Sequence, residues 1–332
     1  MKLFRLVAAA LTLLLTTVPG FSQGLKRINV GMQPIVNGPL HIAVREKYFE
    51  QMGLEVNLVK FTAGPPQFAA LAGGQIDLAW GGMGAFLLAK ANGQDLNFFA
   101  VFMDANAVEG IAVPPGSPVT SVKALAGKKV GLVQGSDAHY GMLKALKGAG
   151  MDKEAIHILS MLPPQQVAAL QSRDVDAIFS WEPFLTPLTQ KGARIIFRNS
   201  ELDPGPAFLG WAGKREWFAA NQESAMKILK GWNMGLKKMR ENPELAITYS
   251  MDWSGMNEAQ ARTFQKQVDY FDATAALNRE HPAYWAKGSK LNRMLHDFLA
   301  FGKEYKLVKG DADVDVDSYV MTSFMQAVKD GK

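Results

Sequence analysis

The sequence predicts an α/β chain folded as two lobes around a cleft. Strand-like and helix-like segments alternate from Arg27 to about Gly210, the pattern of largely parallel sheets with helices on their faces. Two extended stretches interrupt the alternation where a chain leaving one lobe and later returning would cross. The 332 residues, 48% hydrophobic and 20% charged, suffice for roughly two domains. That composition argues against disorder, collagen-like repeats and coiled coil.

The elements follow in order. Lys2 and Arg5 precede Leu6–Leu15, an apolar run of ten residues, with Gly20 and Ser22 beyond it. This is the layout of a secretory signal, residues 1–22, cleaved after Ser22. The run is shorter than the ~20 apolar residues that span a bilayer. Cleavage removes two positive charges and no negative ones, so the net charge falls from +5 to +3. Ile28–Gly31 reads as a buried strand and Pro39–Gln51 as a helix closed by Gly53. Leu54–Phe61 is extended, Gln67–Ala72 is a short helix, Ile76–Trp80 a strand, and Gly84–Ala91 a helix stopped by Asn92-Gly93.

Leu96–Phe102 with Val108–Val113 forms the first crossing, and Pro114-Pro115-Gly116 follows it. The alternation resumes with Lys129–Val133 (strand), Ala138–Gly148 (helix), Ile156–Met161 (strand), Pro164–Gln171 (helix), Val175–Ser180 (strand) and Pro183–Lys191 (helix). Pro204-Gly205-Pro206 precedes the second crossing, Phe208–Ala212. Beyond Lys214 the chain turns helical. In Asn221–Glu241, Ala225, Ile228, Leu229, Trp232, Leu236 and Met239 recur at helical spacing. Leu291–Phe301 and Ser318–Val328 are further helical stretches. The expected lobes are 28–110 with 213–332, and 114–206, with the two crossings as the hinge.

Several function classes are excluded. The chain has no cysteine, which removes disulfides, thiolate metal sites and nucleophilic cysteine chemistry. His41, His139, His157, His281 and His296 lack zinc-ligand spacing, and there is no G-x-S-x-G elbow or P-loop. Gly81-Gly82-Met83-Gly84 fails as a dinucleotide turn because Leu87 holds the third glycine position. No cofactor or metal is expected. Positive charge is scattered, and Lys237-Lys238-Met239-Arg240 reads as a solvated helix face, so nucleic acid is not an expected partner. A monomer is expected.

The chemistry left lies beyond the strand ends, where helix N-termini offer unpaired N–H groups. Met32–Gly38, Gly81–Met83, Gln134–Asp137 and Trp181–Pro183 each follow a strand and open a helix, two in each lobe. The candidate contacts for a small molecule are Gln33, Asn37, Trp80, Gly82, Met83, Gly135, Ser136, Asp137, Ala138, His139, Tyr140, Trp181 and Glu182. Ser136, with the N–H groups of Asp137 and Ala138, could cradle an anion or simply cap a helix. Asp137 would oppose an anion unless it points outward. Trp80, Met83, Tyr140 and Trp181 could line an apolar wall or belong to the core, where Phe86 is placed. His139 could donate to a ligand or bond locally. Glu182, before a Pro183 suited to the first helical position, either caps a helix or pairs with a basic nitrogen on the ligand.

Leu125-Ala126-Gly127-Lys128-Lys129-Val130-Gly131-Leu132-Val133-Gln134-Gly135-Ser136 resembles the "L-x-GKKV…GS" strand and anion loop of periplasmic solute-binding proteins. The match continues through His139-Tyr140 to Leu146. Leu71–Ala79 resembles their "L-x-x-G-x-ID-x-A" element, and Val175–Pro183 their "G-x-ID-A…W-[ED]-P" element. In this order behind a signal peptide, over about Ile28 to Gly213, the chain is similar to the binding subunits of ABC importers for nitrate, sulfonate, taurine and thiamine pyrimidine precursors. The resemblance implies a two-lobe type II periplasmic binding protein fold with two hinge crossovers and a periplasmic location. It also implies non-catalytic capture of a small organic anion or zwitterion, aliphatic-sulfonate-like, for delivery to an inner-membrane permease. The alternatives are a thiamine pyrimidine precursor as ligand, or presentation of ligand to a membrane sensor. A fungal pyrimidine synthase in the same family needs a cysteine-rich motif that this chain lacks. Taurine binders carry an acid in the returning crossover, where this chain reads Phe208-Leu209-Gly210-Trp211.

Overall fold

The computed structural model describes residues 24–310, 312 and 314–331, so the expected leader, 1–22, lies outside the described residues. The first lobe grows from β1 (Lys26–Met32), paired in parallel with β2 (Leu54–Lys60) from Lys26↔Leu54 to Met32↔Lys60. Between them the one predicted helix becomes two, α1 (Gly38–Arg45) and α2 (Tyr48–Gln51). The break is at Lys47, whose φ of 60° is left-handed and cannot continue a helix. Next come α3 (Gly64–Ala72), β3 (Leu78–Gly82), α4 (Met83–Ala91) and β4 (Leu96–Asp104). Every residue of β3 is buried, as befits a strand covered on both faces.

The chain crosses through 105–108 into a second sheet. Its elements are β5 (Glu109–Val113), β6 (Lys129–Leu132), α5 (Asp137–Gly148), β7 (His157–Ser160), α6 (Pro163–Ser172), β8 (Ala177–Trp181), α7 (Thr186–Thr189) and β9 (Arg194–Arg198). The order is β7-β6-β8-β5-β9. Residues 199–207 lead back to β10 (Phe208–Lys214), which lies antiparallel between β3 and β4. The remaining helices are α8 (Arg215–Ala220), α9 (Gln222–Glu241), α10 (Pro243–Ser254), α11 (Glu258–Gln267), α12 (Lys290–Glu304) and α13 (Thr322–Lys329). The short β11 (Asp269–Tyr270) completes the first sheet, β11-β4-β10-β3-β1-β2.

The two strand-like crossings, Val108–Val113 and Phe208–Ala212, lie within the sheets. Most of the first stretch is β5, bonded to β8 and β9, and the second is the interior strand β10. Both are buried along their length, and a buried backbone must find partners, which an interior strand supplies on both edges. The segments that join the two sheets are 105–108 and 199–207. The predicted helix 183–191 contracts to α7, and 318–320 ends in a bridge between Val320 and Phe98.

The larger core surrounds the first sheet. Trp80 and Trp232 stack at 5.8 Å, Phe102 approaches Trp232 to 4.3 Å, and Trp211 meets Trp80 and Phe102 edge-on. Helix α9 packs directly on α1, because any side chain at Gly235 would collide with the Pro39 carbonyl. The second sheet carries a smaller core on each face. Ile111 and Val113 of β5 join α5 on one side, and Ala112 joins α6 and α7 on the other, following strand alternation.

Candidate functional site

A cavity of about 280 Å³ opens where the carboxyl ends of the two sheets meet. Strand β1 delivers Gln33 and Ile35, and β3 delivers Gly81 and Gly82. The turn after β6 brings Gln134–Asp137, β8 brings Trp181 and Glu182, and β4, the first connection and β5 bring Met103, Val108 and Glu109 in turn. Phe68, Phe86, Phe264 and Leu209 complete an apolar wall.

The turn after β6 is held by its own atoms. Gly135, at φ +76°, reverses the chain. Ser136 Oγ donates to the Val133 carbonyl (2.7 Å) and accepts from the His139 N–H (3.3 Å), capping α5. The Gly135 N–H donates to His139 Nδ1 (3.2 Å), which places the ring proton on Nε2. Burial moves the His139 pKa down to about 4, so the ring is neutral at pH 7.

Three carboxyl groups border the cavity, each at most 7% exposed. Glu109 Oε2 accepts from Asn199 Nδ2 (2.7 Å). Burial, and then the neighbouring Asp137, hold its pKa well above the carboxylate range. Glu182 Oε2 accepts from the Thr186 N–H at the head of α7 (3.0 Å). Its pKa is raised by burial and drawn back by the Thr186 bonds and by Arg198. Asp137 is raised by burial to about 8, and its Oδ1 has no hydrogen-bond partner. Its carboxylate lies against Gly82, the residue before α4, where any side chain would collide with it. Among the described residues, no Lys, Arg or His borders the cavity.

Of the thirteen candidates, Gln33, Gly82, Gly135, Ser136, Asp137, Trp181 and Glu182 border this cavity. The other six do not. Trp80 is wholly buried in the aromatic cluster of the first sheet. Met83 is buried too, its carbonyl accepting from the Tyr319 hydroxyl (3.0 Å). Asn37, at the head of α1, is fully enclosed. Ala138, His139 and Tyr140 turn away as α5 advances ~100° per residue. Ala138 joins the second core, His139 lies edge-on to Phe301 (5.1 Å), and Tyr140 stacks on Phe298 of α12 (4.5 Å). Glu109 was absent from the candidates. Its signal was a lone acid in the apolar run Val108–Val113. Phe86, assigned to the core, is buried and also borders the cavity.

The NMT1/THI5-like family model matches residues 36–246, more than half of the chain. The chain belongs to the NMT1/THI5-like family. A Bacillus subtilis (strain 168) protein named for binding aliphatic sulfonates is 30% identical over 240 residues, covering 70% of this chain and 71% of that protein. The taurine-binding periplasmic protein of Escherichia coli (strain K12) is 27% identical over 300 residues, covering 87% and 89%. Among solved structures, the alkanesulfonate-binding protein SsuA from Xanthomonas axonopodis pv. citri, bound to MOPS, matches with a TM-score of 0.75 at 23% identity. That match covers 90% of this chain and 99% of SsuA. The likeness shows the fold, the two-lobed periplasmic binding protein type that the sequence led one to expect. In this NMT1/THI5-like chain the cleft combines an apolar wall with three acids.

Proposed function

We propose that this chain is the exported substrate-binding component of an ABC importer. It captures a small organic anion or zwitterion between its lobes and hands it to an inner-membrane permease without chemical change. The observation that carries this reading is the cavity between the two sheets, built from all four loops that the sequence singled out. The relatives named for aliphatic sulfonates and taurine support the ligand class and the periplasmic address. Among the described residues no helix is long and apolar enough to cross a membrane. The lobes would move as 28–104 with 208–331 against 109–198, with 105–108 and 199–207 as the hinge.

Two measurements test this. Protein released by osmotic shock should begin at or near Gln23; retention of Met1 on membranes would end the exported reading. A thermal-shift screen of sulfonates, taurine, nitrate and pyrimidines should find a ligand that stabilises by ~2.7 kcal/mol at about 100 times its Kd. That ligand should be recovered unchanged, and a converted product would point to an enzyme.

A further inference from the structure

This inference rests on the capture reading and shifts its ligand class from anion toward cation, keeping the zwitterion. We infer that the bound molecule presents a basic nitrogen, protonated when bound, to Asp137 and Glu109 at the cavity wall. Its class is a small amine or amidine with an apolar body; a zwitterion qualifies, and a bare anion does not.

Four observations converge. The cavity is bordered by three carboxyl groups and, among the described residues, by no cationic side chain. Glu109 and Glu182 each hold a partner, Asn199 and Thr186, whereas Asp137 Oδ1 has none although the residue is 6% exposed. A buried carboxyl without a partner is costly when ionised, and a ligand cation would relieve that cost. Two of the groups that would suit an anion are already taken up within the chain. The Ser136 hydroxyl donates and accepts within its own turn, and the Asp137 carboxyl lies against Gly82 at the head of α4, the place an anion would take at that helix end. Finally, Phe86, Trp181 and Phe264 supply aromatic surface beside the acids, suited to an apolar body and to cation–π contact. On binding, the Asp137 carboxyl would release its proton to solvent and pair as a carboxylate with the ligand's N–H groups.

The test is calorimetry on the mature chain with four probes of similar size: benzylamine, benzamidine, benzyl alcohol and benzenesulfonate. The expected result is that an amine or amidine binds at least about tenfold more tightly than the alcohol, ~1.4 kcal/mol, with proton release that depends on the buffer. Benzenesulfonate should bind more weakly still. Asp137→Asn, close in shape, should cancel the preference while the free protein keeps its melting temperature. Glu109→Gln, which can still accept from Asn199, should reduce it independently. Benzenesulfonate binding more tightly than benzylamine overturns the inference and leaves the capture reading standing. Wild-type amine affinity in both variants also overturns it. No binding by any probe, whatever its charge, counts against both.

Discussion

Two strand-to-helix turns face each other across the cleft, and their chemistry differs. At the end of β3, Gly82 leads into α4 with no side-chain cap and no acid in the first turn. At the end of β6, Gly135-Ser136-Asp137 leads into α5, which Ser136 caps. By sequence both look like anion-binding helix heads. In the folded chain the second turn satisfies itself and projects its aspartate onto the first. A glycine at one head and an acid at the other are therefore a matched pair. A helix N-terminus identified from sequence can be occupied by another part of the same chain, which shifts the charge preference of the site between them.

Four measurements would break or sharpen this contrast. The largest effect is expected at Trp80, which sits one turn position from the cavity yet belongs wholly to the core. Trp80→Ala should cost ~3–5 kcal/mol of stability in denaturant unfolding, whereas Trp181→Ala should mainly alter ligand affinity. Equal effects at both would erase the distinction between core and cleft.

Gly82→Val comes next. The new side chain collides with the Asp137 carboxylate, so overpacking should destabilise by ~1–3 kcal/mol. Small-angle scattering should also show a larger radius of gyration. A wild-type radius and stability would mean that the two turns do not press on each other in solution.

The third effect is a pH slope. Asp137 binds its proton more tightly folded (about 8) than unfolded (3.8), so its contribution to stability is full below the unfolded value and is lost as pH rises toward 8. Glu109 and Glu182, both raised, act in the same direction. The facing Tyr319 phenol, pushed upward, stays neutral throughout, and Arg198 draws only Glu182 back. His139 acts oppositely and only in acid, because its contribution is lost as pH falls from 6.5 toward about 4. The ligand-free melting temperature should therefore decline by a few degrees toward pH 8, with Asp137→Asn flattening the decline. An identical slope in the variant would assign it to other groups.

The smallest effect belongs to the cap. Ser136→Ala removes one side-chain acceptor from the head of α5 and should cost ~1 kcal/mol, while amine affinity stays near wild type. A large loss of affinity with unchanged stability would make Ser136 a ligand group and overturn its assignment as a cap.

What the sequence determined by itself was the alternation and the places where it stops. Apolar runs such as Ile28–Gly31 and Ile76–Trp80, bounded by glycine, proline and asparagine, specify strands and helices through local patterning, and that patterning survives folding. Strand ends mark the rim of a crevice, which is why Gln33, Gly82, Asp137, Trp181 and Glu182, read as candidates from the sequence, fall together on one cavity. Which side of each turn meets the cavity was a tertiary decision. Trp80 and Trp181 both lie close to the end of a strand that leads into a helix, yet one joins three other aromatic rings and the other borders open volume. The same holds for Phe208–Ala212. Its apolar run reads as a strand-like crossing, and only the tertiary structure sets it as an interior strand between β3 and β4. Glu109 shows the physical reason most directly. A single acid in a buried strand carries no periodic signal, and its meaning depends on Asp137 and Asn199, 28 and 90 residues away, which only the packed sheets bring beside it.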